Sequence, residues 1–211
     1  MTAFIFDLDG TLADSIPNIL DVAKRSFAQL GKTVSEDTII EYVGIPLIQT
    51  GEDLLGPGRG REYADAYMET YAKTVFDLQA FPGMDRMLSD LEAAGAALGV
   101  CTSKRRQPAH ESLEKIGLKK YFSAIINCES GYGCKPEAGP ALGAAEELAT
   151  PPGECYFIGD SIHDIACGKN AGMGTVGVTW GASSEKAFRE ICADYICHDA
   201  DQLRKLLLSL V

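Results

Sequence analysis

Histidine is scarce in this chain, three in 211 residues, and its seven cysteines include no C-x-x-C pair. A zinc site is therefore not expected, since such sites draw their ligands from closely spaced Cys and His pairs. The cysteine count is odd, and Cys101 in LGVCTS and Cys155 in ECYFIG sit in apolar runs, where a reduced thiol packs as a small core side chain. That usage points to a reducing compartment. No apolar stretch reaches the roughly 20 residues that span a bilayer. MTAFIFDLDG carries neither a basic leader nor a cleavage site, so cytoplasmic residence is the expectation. Basic residues are outnumbered 30 to 19, and the net charge of −11 repels nucleic-acid backbones and anionic membranes. Neither is an expected partner. The same field repels phosphate esters, so a site for one requires a divalent cation and locally placed basic groups.

With 46% hydrophobic and 23% charged residues, and glycines and prolines spread along the chain, the composition is that of a globular protein. Thr2 to Phe6 is a short apolar run stopped by acidic residues and Asp-Gly, the pattern of a buried strand ending in a sharp turn. Helical spacing follows over Ser15 to Leu30, Ser35 to Val43, Leu47 to Leu55 and Glu62 to about Leu78, with no strand between them. Beyond Phe81-Pro82-Gly83 strands and helices alternate, with strands expected at Ala96 to Cys101, Ala124 to Asn127, Cys155 to Ile158, Thr175 to Thr179 and Tyr195 to Cys197. Alternation of this kind gives an α/β fold, a Rossmann-like, doubly wound and mostly parallel sheet. The expected organisation is a core of residues 1–14 and 82–211, interrupted by an all-α cap of residues 15–81. Ligands of open parallel sheets sit beyond the carboxyl ends of the strands, so a cap leaving there lies over the site.

Four motifs carry chemistry. Asp7-Leu8-Asp9-Gly10-Thr11-Leu12 follows the first strand, and a turn at Gly10 brings two carboxylates toward one cavity. A calcium loop is excluded because the glycine comes too early and no helix pair flanks it. The run Leu98 to Cys101 ends in Thr102, Ser103 and Lys104. Lys135-Pro136 follows the loop Cys128 to Cys134, and Gly159-Asp160-Ser161-Ile162-His163-Asp164 ends another apolar strand. No His or Ser arrangement around His163 makes a triad. The G-x-G-x-x-G within Gly172 to Gly177 follows a helix and precedes a strand, the reverse of a dinucleotide-binding turn, so no nicotinamide or flavin is expected. The run Gly56 to Gly60 lacks the strand and the Lys-Ser/Thr of a phosphate loop.

Taken in order, each at the end of a successive strand, these motifs resemble the haloacid dehalogenase superfamily phosphatases, and the run Ala171 to Gly181 resembles their phosphoglycolate phosphatase-like branch. The resemblance implies that Asp7 is the nucleophile and Asp9 the general acid and base. It assigns Thr102 to the phosphoryl oxygens with Ser103 in support, and Lys135 to offset their charge. Thr11 and Lys104 join these as expected substrate-binding residues. Mg²⁺ is the implied cofactor, held by Asp7, by Asp9 through its backbone carbonyl and by Asp160, with Asp164 behind them orienting a water or Lys135. Aspartate at position 9 sets the chain apart from the dehalogenase, ion-pump and phosphonatase branches. The implied activity is two-step hydrolysis of a small phosphorylated metabolite, 2-phosphoglycolate leading, by a monomer or small homo-oligomer. The alternatives are a β-phosphoglucomutase-like isomerase, a pyrophosphatase, and a catalytically silent binding module. The cap residues Arg25, Tyr42, Ile45, Arg59, Tyr67 and Lys73 are candidates for choosing the substrate.

Overall fold

The computed structural model of the chain describes residues 1–74 and 77–211. It is an α/β molecule built on a six-stranded sheet, β1 (Ala3–Phe6), β2 (Ala97–Cys101), β3 (Ala124–Ile126), β4 (Cys155–Gly159), β5 (Gly174–Val178) and β6 (Tyr195–Cys197), in the spatial order β3-β2-β1-β4-β5-β6. Every strand pair is parallel, so the sheet is wholly rather than mostly parallel. The chain runs outward from β1 through β2 to β3, then crosses back to the other side of β1 for β4. That reversal opens a crevice at the carboxyl ends of β1 and β4, the usual place for a ligand in such a sheet.

Side-chain alternation along β1 explains why both faces are covered. Phe4 and Phe6 enter a core with Leu88 and Leu91 of α5 (Met84–Ala93), Leu113 of α6 (Arg106–Lys115) and Leu203 and Leu207 of α10 (Ala200–Ser209). Ala3 and Ile5 point the other way, into a core with Ala141 and Ala144 of α7 (Gly139–Glu147) and Cys167 of α8 (Ile162–Asn170). All four residues of β1 are fully buried, and full burial of each large side chain contributes about 1.5–3 kcal/mol.

Between β1 and α5 stand α1 (Ile16–Gln29), α2 (Glu36–Glu41), α3 (Leu47–Leu55) and α4 (Gly60–Lys73), with no strand among the described residues. They close on their own core of Val22, Ala23, Phe27, Ile39, Tyr63 and Tyr67, in which the Phe27 and Tyr63 rings stack at 4.3 Å. The helix expected from Glu62 to Leu78 begins at Gly60 and stops at Lys73, while Val75 and Phe76 lie outside the described residues. Leu78 is apolar for another reason, being buried in the core around Phe4 and Phe6. The chain enters and leaves the helical block side by side. Ala13 and Ala80 form an antiparallel bridge, Asp14 N–H donates to Gln79 (3.0 Å) and Phe81 N–H donates to Leu12 (3.0 Å).

Candidate active site

Strand register brings the four motifs together. Phe6 lies opposite Val100 on one side and Ile158 on the other, so Asp7, Thr102 and Asp160 all emerge just past the same edge of the sheet. Asp7 N–H still donates to the Ile158 carbonyl (2.8 Å) and Thr102 N–H to Ile126 (2.9 Å), which fixes both residues by their backbones. The sharp turn after them needs a glycine. Gly10 has φ +80°, and a Cβ there would lie 2.2 Å from Asp160 Oδ2. Gly181 faces the same carboxylate at the same distance, so side chains at either position would push Asp160 out of place.

Lys135, across a cis peptide bond from Pro136, is the hub of the buried charges. Its Nζ donates to Asp7 Oδ1 (2.6 Å), to Asp164 Oδ1 (2.6 Å) and to the Cys101 carbonyl (3.4 Å). Asp164 Oδ2 in turn accepts from the Ser161 N–H (3.0 Å) and hydroxyl (2.6 Å), a capping box that begins α8 and leaves Asp164 fully engaged. Asp160 Oδ1 accepts from Thr11 Oγ1 (3.1 Å), and its Oδ2 from the Ala182 N–H (2.7 Å). Asp7 Oδ2, by contrast, accepts no hydrogen bond among the described residues.

The electrostatics are lopsided. Oxygens of Asp7, Asp160 and Asp164 all lie within 4.8 Å of one another and all three residues are buried, facing one buried ammonium. Burial pushes the Asp7 carboxyl up to about 7, against the pull of Lys135 and with the charges of Asp164 and Asp9 adding to the rise. Burial, then Asp164 and Asp7, hold Asp160 well above the usual carboxylate range. Burial works to strip Lys135 of its proton, but Asp164 and Asp7 outweigh it and keep the ammonium charged. Hard oxygen donors with negative charge to spare fit a divalent cation of the Mg²⁺ kind.

Not every expected site residue faces the open space. Asp7, Asp9, Thr102, Ser103 and Lys104 line a cavity of about 350 Å³ between the sheet edge and the helical block. Lys104 Nζ is hydrogen-bonded to Asp9 Oδ1, and the Ser103 hydroxyl donates to the Gly44 carbonyl of the helical block (2.5 Å). Thr11, expected to touch substrate, is fully buried, with its hydroxyl donating to Asp160 Oδ1. Lys135 and Asp160 stand behind Asp7 rather than in the cavity lining. Of the six candidate residues in the helices, Tyr42, Ile45 and Tyr67 line the cavity, whereas Arg25, Arg59 and Lys73 pair outward with Asp21, Glu62 and Glu69. Ser161 was missed, although Ser-x-x-Asp before a helical run is the signature of a capping box.

The chain is similar to known proteins. The sequence profile of the haloacid dehalogenase-like hydrolases matches residues 4–178. The chain belongs to that family. It is 36% identical to a phosphoglycolate phosphatase of Neisseria meningitidis, covering 85% of this chain and 80% of that one. It is 28% identical to the pyrophosphatase PpaX of Oceanobacillus iheyensis, covering 92% and 91%. Among solved structures, a haloacid dehalogenase-like hydrolase from Streptococcus pneumoniae superposes with a TM-score of 0.87 at 26% identity, covering 98% of both chains. The protein is an enzyme of the phosphatase kind within this family. Among the described residues no helix is long and apolar enough to cross a membrane.

Proposed function

We propose that the protein is a Mg²⁺-dependent phosphatase that hydrolyses a small phosphate monoester through a phospho-aspartate on Asp7. One observation carries this reading: Asp7 stands at the sheet's switch point and lines the cavity, with Oδ1 held by Lys135 and Oδ2 accepting no hydrogen bond among the described residues. A carboxylate oxygen left without a hydrogen bond on a rigid strand end beside the cavity is placed to attack phosphorus. The attack forms the bond from Asp7 to phosphorus and breaks the bond to the leaving oxygen, which takes its proton from Asp9. Asp9 then accepts a proton from the water that attacks the phosphorus of the acyl phosphate, releasing phosphate and restoring Asp7. Thr102, whose side chain reaches the cavity edge, and Lys104 beside Asp9 are placed to hold the phosphoryl oxygens.

The carboxylates of Asp7 and Asp160, with the Asp9 backbone carbonyl, would hold the cation, which supplies positive charge for the phosphoryl group and the crowded carboxylates. Asp164 acts through Lys135, keeping its ammonium against Asp7. Residues 15–81 serve as a cap on a core of residues 1–14 and 82–211, hinged at the paired segments around Ala13 and Ala80, and closure excludes water. The relatives' names make 2-phosphoglycolate and pyrophosphate the first substrates to try. Phosphate release from a panel of esters with Mg²⁺ or with EDTA, and with Asp7→Asn beside the wild type, tests the reading. Metal-dependent release lost in Asp7→Asn supports it; release that survives Asp7→Asn overturns it, and conversion of a sugar phosphate to its isomer without release favours a mutase.

A further inference from the structure

The cavity that opens on Asp7 is much larger, and much less polar, than a two-carbon acid phosphate or a pyrophosphate requires. At about 350 Å³ it falls in the range of pockets that enclose a drug-sized ligand. Its core side is polar, with Asp7, Asp9, Thr102, Ser103 and Lys104, and its opposite wall is apolar, with Ile39, Val43, Ile45, Leu47 and Met68. Tyr63, Tyr67 and Tyr71 complete that wall along one stripe of α4, their successive ring centroids 6.0 and 6.4 Å apart. Tyr67 is close enough to Asp9 for the carboxylate to add to the rise that burial and Tyr63 impose on its hydroxyl. The middle ring of the ladder therefore lies nearest Asp9, the residue that would protonate the leaving oxygen.

Charge on the helical side runs the other way. Lys24, Arg25, Arg59 and Lys73 pair with Glu36, Asp21, Glu62 and Glu69 and are absent from the lining. The helical residue with a positive charge that does line the cavity, Arg61, is exposed and one turn from Asp65, which also lines it. A carboxylate or second phosphate carried into the apolar wall would lose water there and gain no buried cation in return.

We propose that the natural leaving group is an alcohol with an apolar or aromatic body, seated against Ile39, Val43, Ile45, Met68 and the tyrosine ladder while its phosphate meets Asp7. This builds on the phosphatase reading above and replaces the two-carbon acid with an ester of larger, uncharged leaving group. The cavity thus joins a charged end for chemistry to an uncharged end for choice.

The test is a series of n-alkyl phosphates from ethyl to hexyl, with benzyl phosphate, 2-phosphoglycolate and pyrophosphate, assayed with Mg²⁺. The alkyl alcohols leave with similar ease, so chain length reports the pocket. Each methylene is expected to raise kcat/KM by about fourfold, the burial of one CH₂, with benzyl phosphate well above 2-phosphoglycolate. A flat series, or 2-phosphoglycolate or pyrophosphate as the best substrate, overturns the proposal. Ile45→Arg should flatten the alkyl series and raise 2-phosphoglycolate relative to it; an unchanged series in that variant also counts against the proposal. Calorimetry of the same alkyl phosphates on Asp7→Asn protein gives a second readout. Binding that tightens with chain length without any turnover in the wild type would sink the phosphatase reading and keep the apolar site, and binding indifferent to length would sink the apolar site.

Discussion

The sheet edge and the helical block above it treat charge in opposite ways. At the edge, Asp7, Lys135, Asp160 and Asp164 are all buried; Lys135 donates to Asp7 and Asp164, and Asp160 accepts from Thr11 and the Ala182 N–H. In the helical block the ion pairs lie on the outside, between residues about half exposed or more, and the inner wall is left to aliphatic and tyrosine side chains. Buried charge in low dielectric is strongly directional and intolerant of change. An apolar wall is tolerant, because its attraction scales with area rather than with geometry. One region is therefore suited to fixed chemistry and the other to adjustable selection.

The largest contrast is expected at the nucleophile. Asp7→Asn should lower kcat by about 10⁴-fold or more in a phosphate-release assay, whereas Met68→Leu in the opposite wall should leave kcat on a small ester within a few-fold. Next comes the hub. Lys135→Met leaves Asp7 and Asp164 buried against each other, a loss of about 3–5 kcal/mol measured by urea unfolding. Added Mg²⁺ should recover part of that loss, and a variant as stable as the wild type would show that the network does not hold the core.

A smaller effect is expected at the capping box. Ser161→Ala removes the acceptor for the Asp164 N–H and a donor to its carboxylate, for about 1 kcal/mol in thermal or chemical unfolding. Weaker Mg²⁺ binding should accompany it, since Asp164 steadies Lys135. Proton linkage gives a gentler test on metal-free protein. Burial raises Asp7 from 3.8 to about 7 in the folded state, so the fold keeps a proton that the unfolded chain has lost. That contribution is complete below about pH 4 and disappears as pH rises through 7. The melting temperature of Asp7→Asn minus that of the wild type should accordingly grow from pH 5 to pH 8; a constant difference would contradict the burial argument. At the far end, Lys73→Ala should change neither melting temperature nor kcat/KM, because the Lys73–Glu69 pair is solvent-exposed.

The same division governs what the sequence made legible. Asp7, Asp9, Thr102 and Asp160 announce themselves because each stands at or just past the end of an apolar run, and a parallel sheet brings the ends of its strands to one edge; Lys135 is legible only by its place after the loop Cys128 to Cys134 that follows β3. Orientation within the edge was less legible. Thr11 sits in the most distinctive motif, yet which way its hydroxyl turns depends on Asp160, 149 positions away. In the helices, a basic or aromatic residue does not declare whether it faces the cavity or solvent. Arg25, Arg59 and Lys73 each found an acidic neighbour within one turn, while Tyr63, Tyr67 and Tyr71 formed the inner stripe. The end of α4 was overextended because Leu78, apolar for its place in the sheet core, continued the helical rhythm.

The most direct test of the central claim is chemical trapping of Asp7. Wild-type protein mixed with a hydrolysable phosphate ester and Mg²⁺ is quenched within a turnover, treated with borohydride, and its Met1 to Lys24 peptide examined by mass spectrometry. An acyl phosphate on Asp7 is reduced to homoserine at that position, and the account predicts homoserine at position 7 in the presence of Mg²⁺ and its absence with EDTA or in Asp7→Asn. Steady turnover with no modification at Asp7 at any quench time, or trapping at another residue, would contradict it.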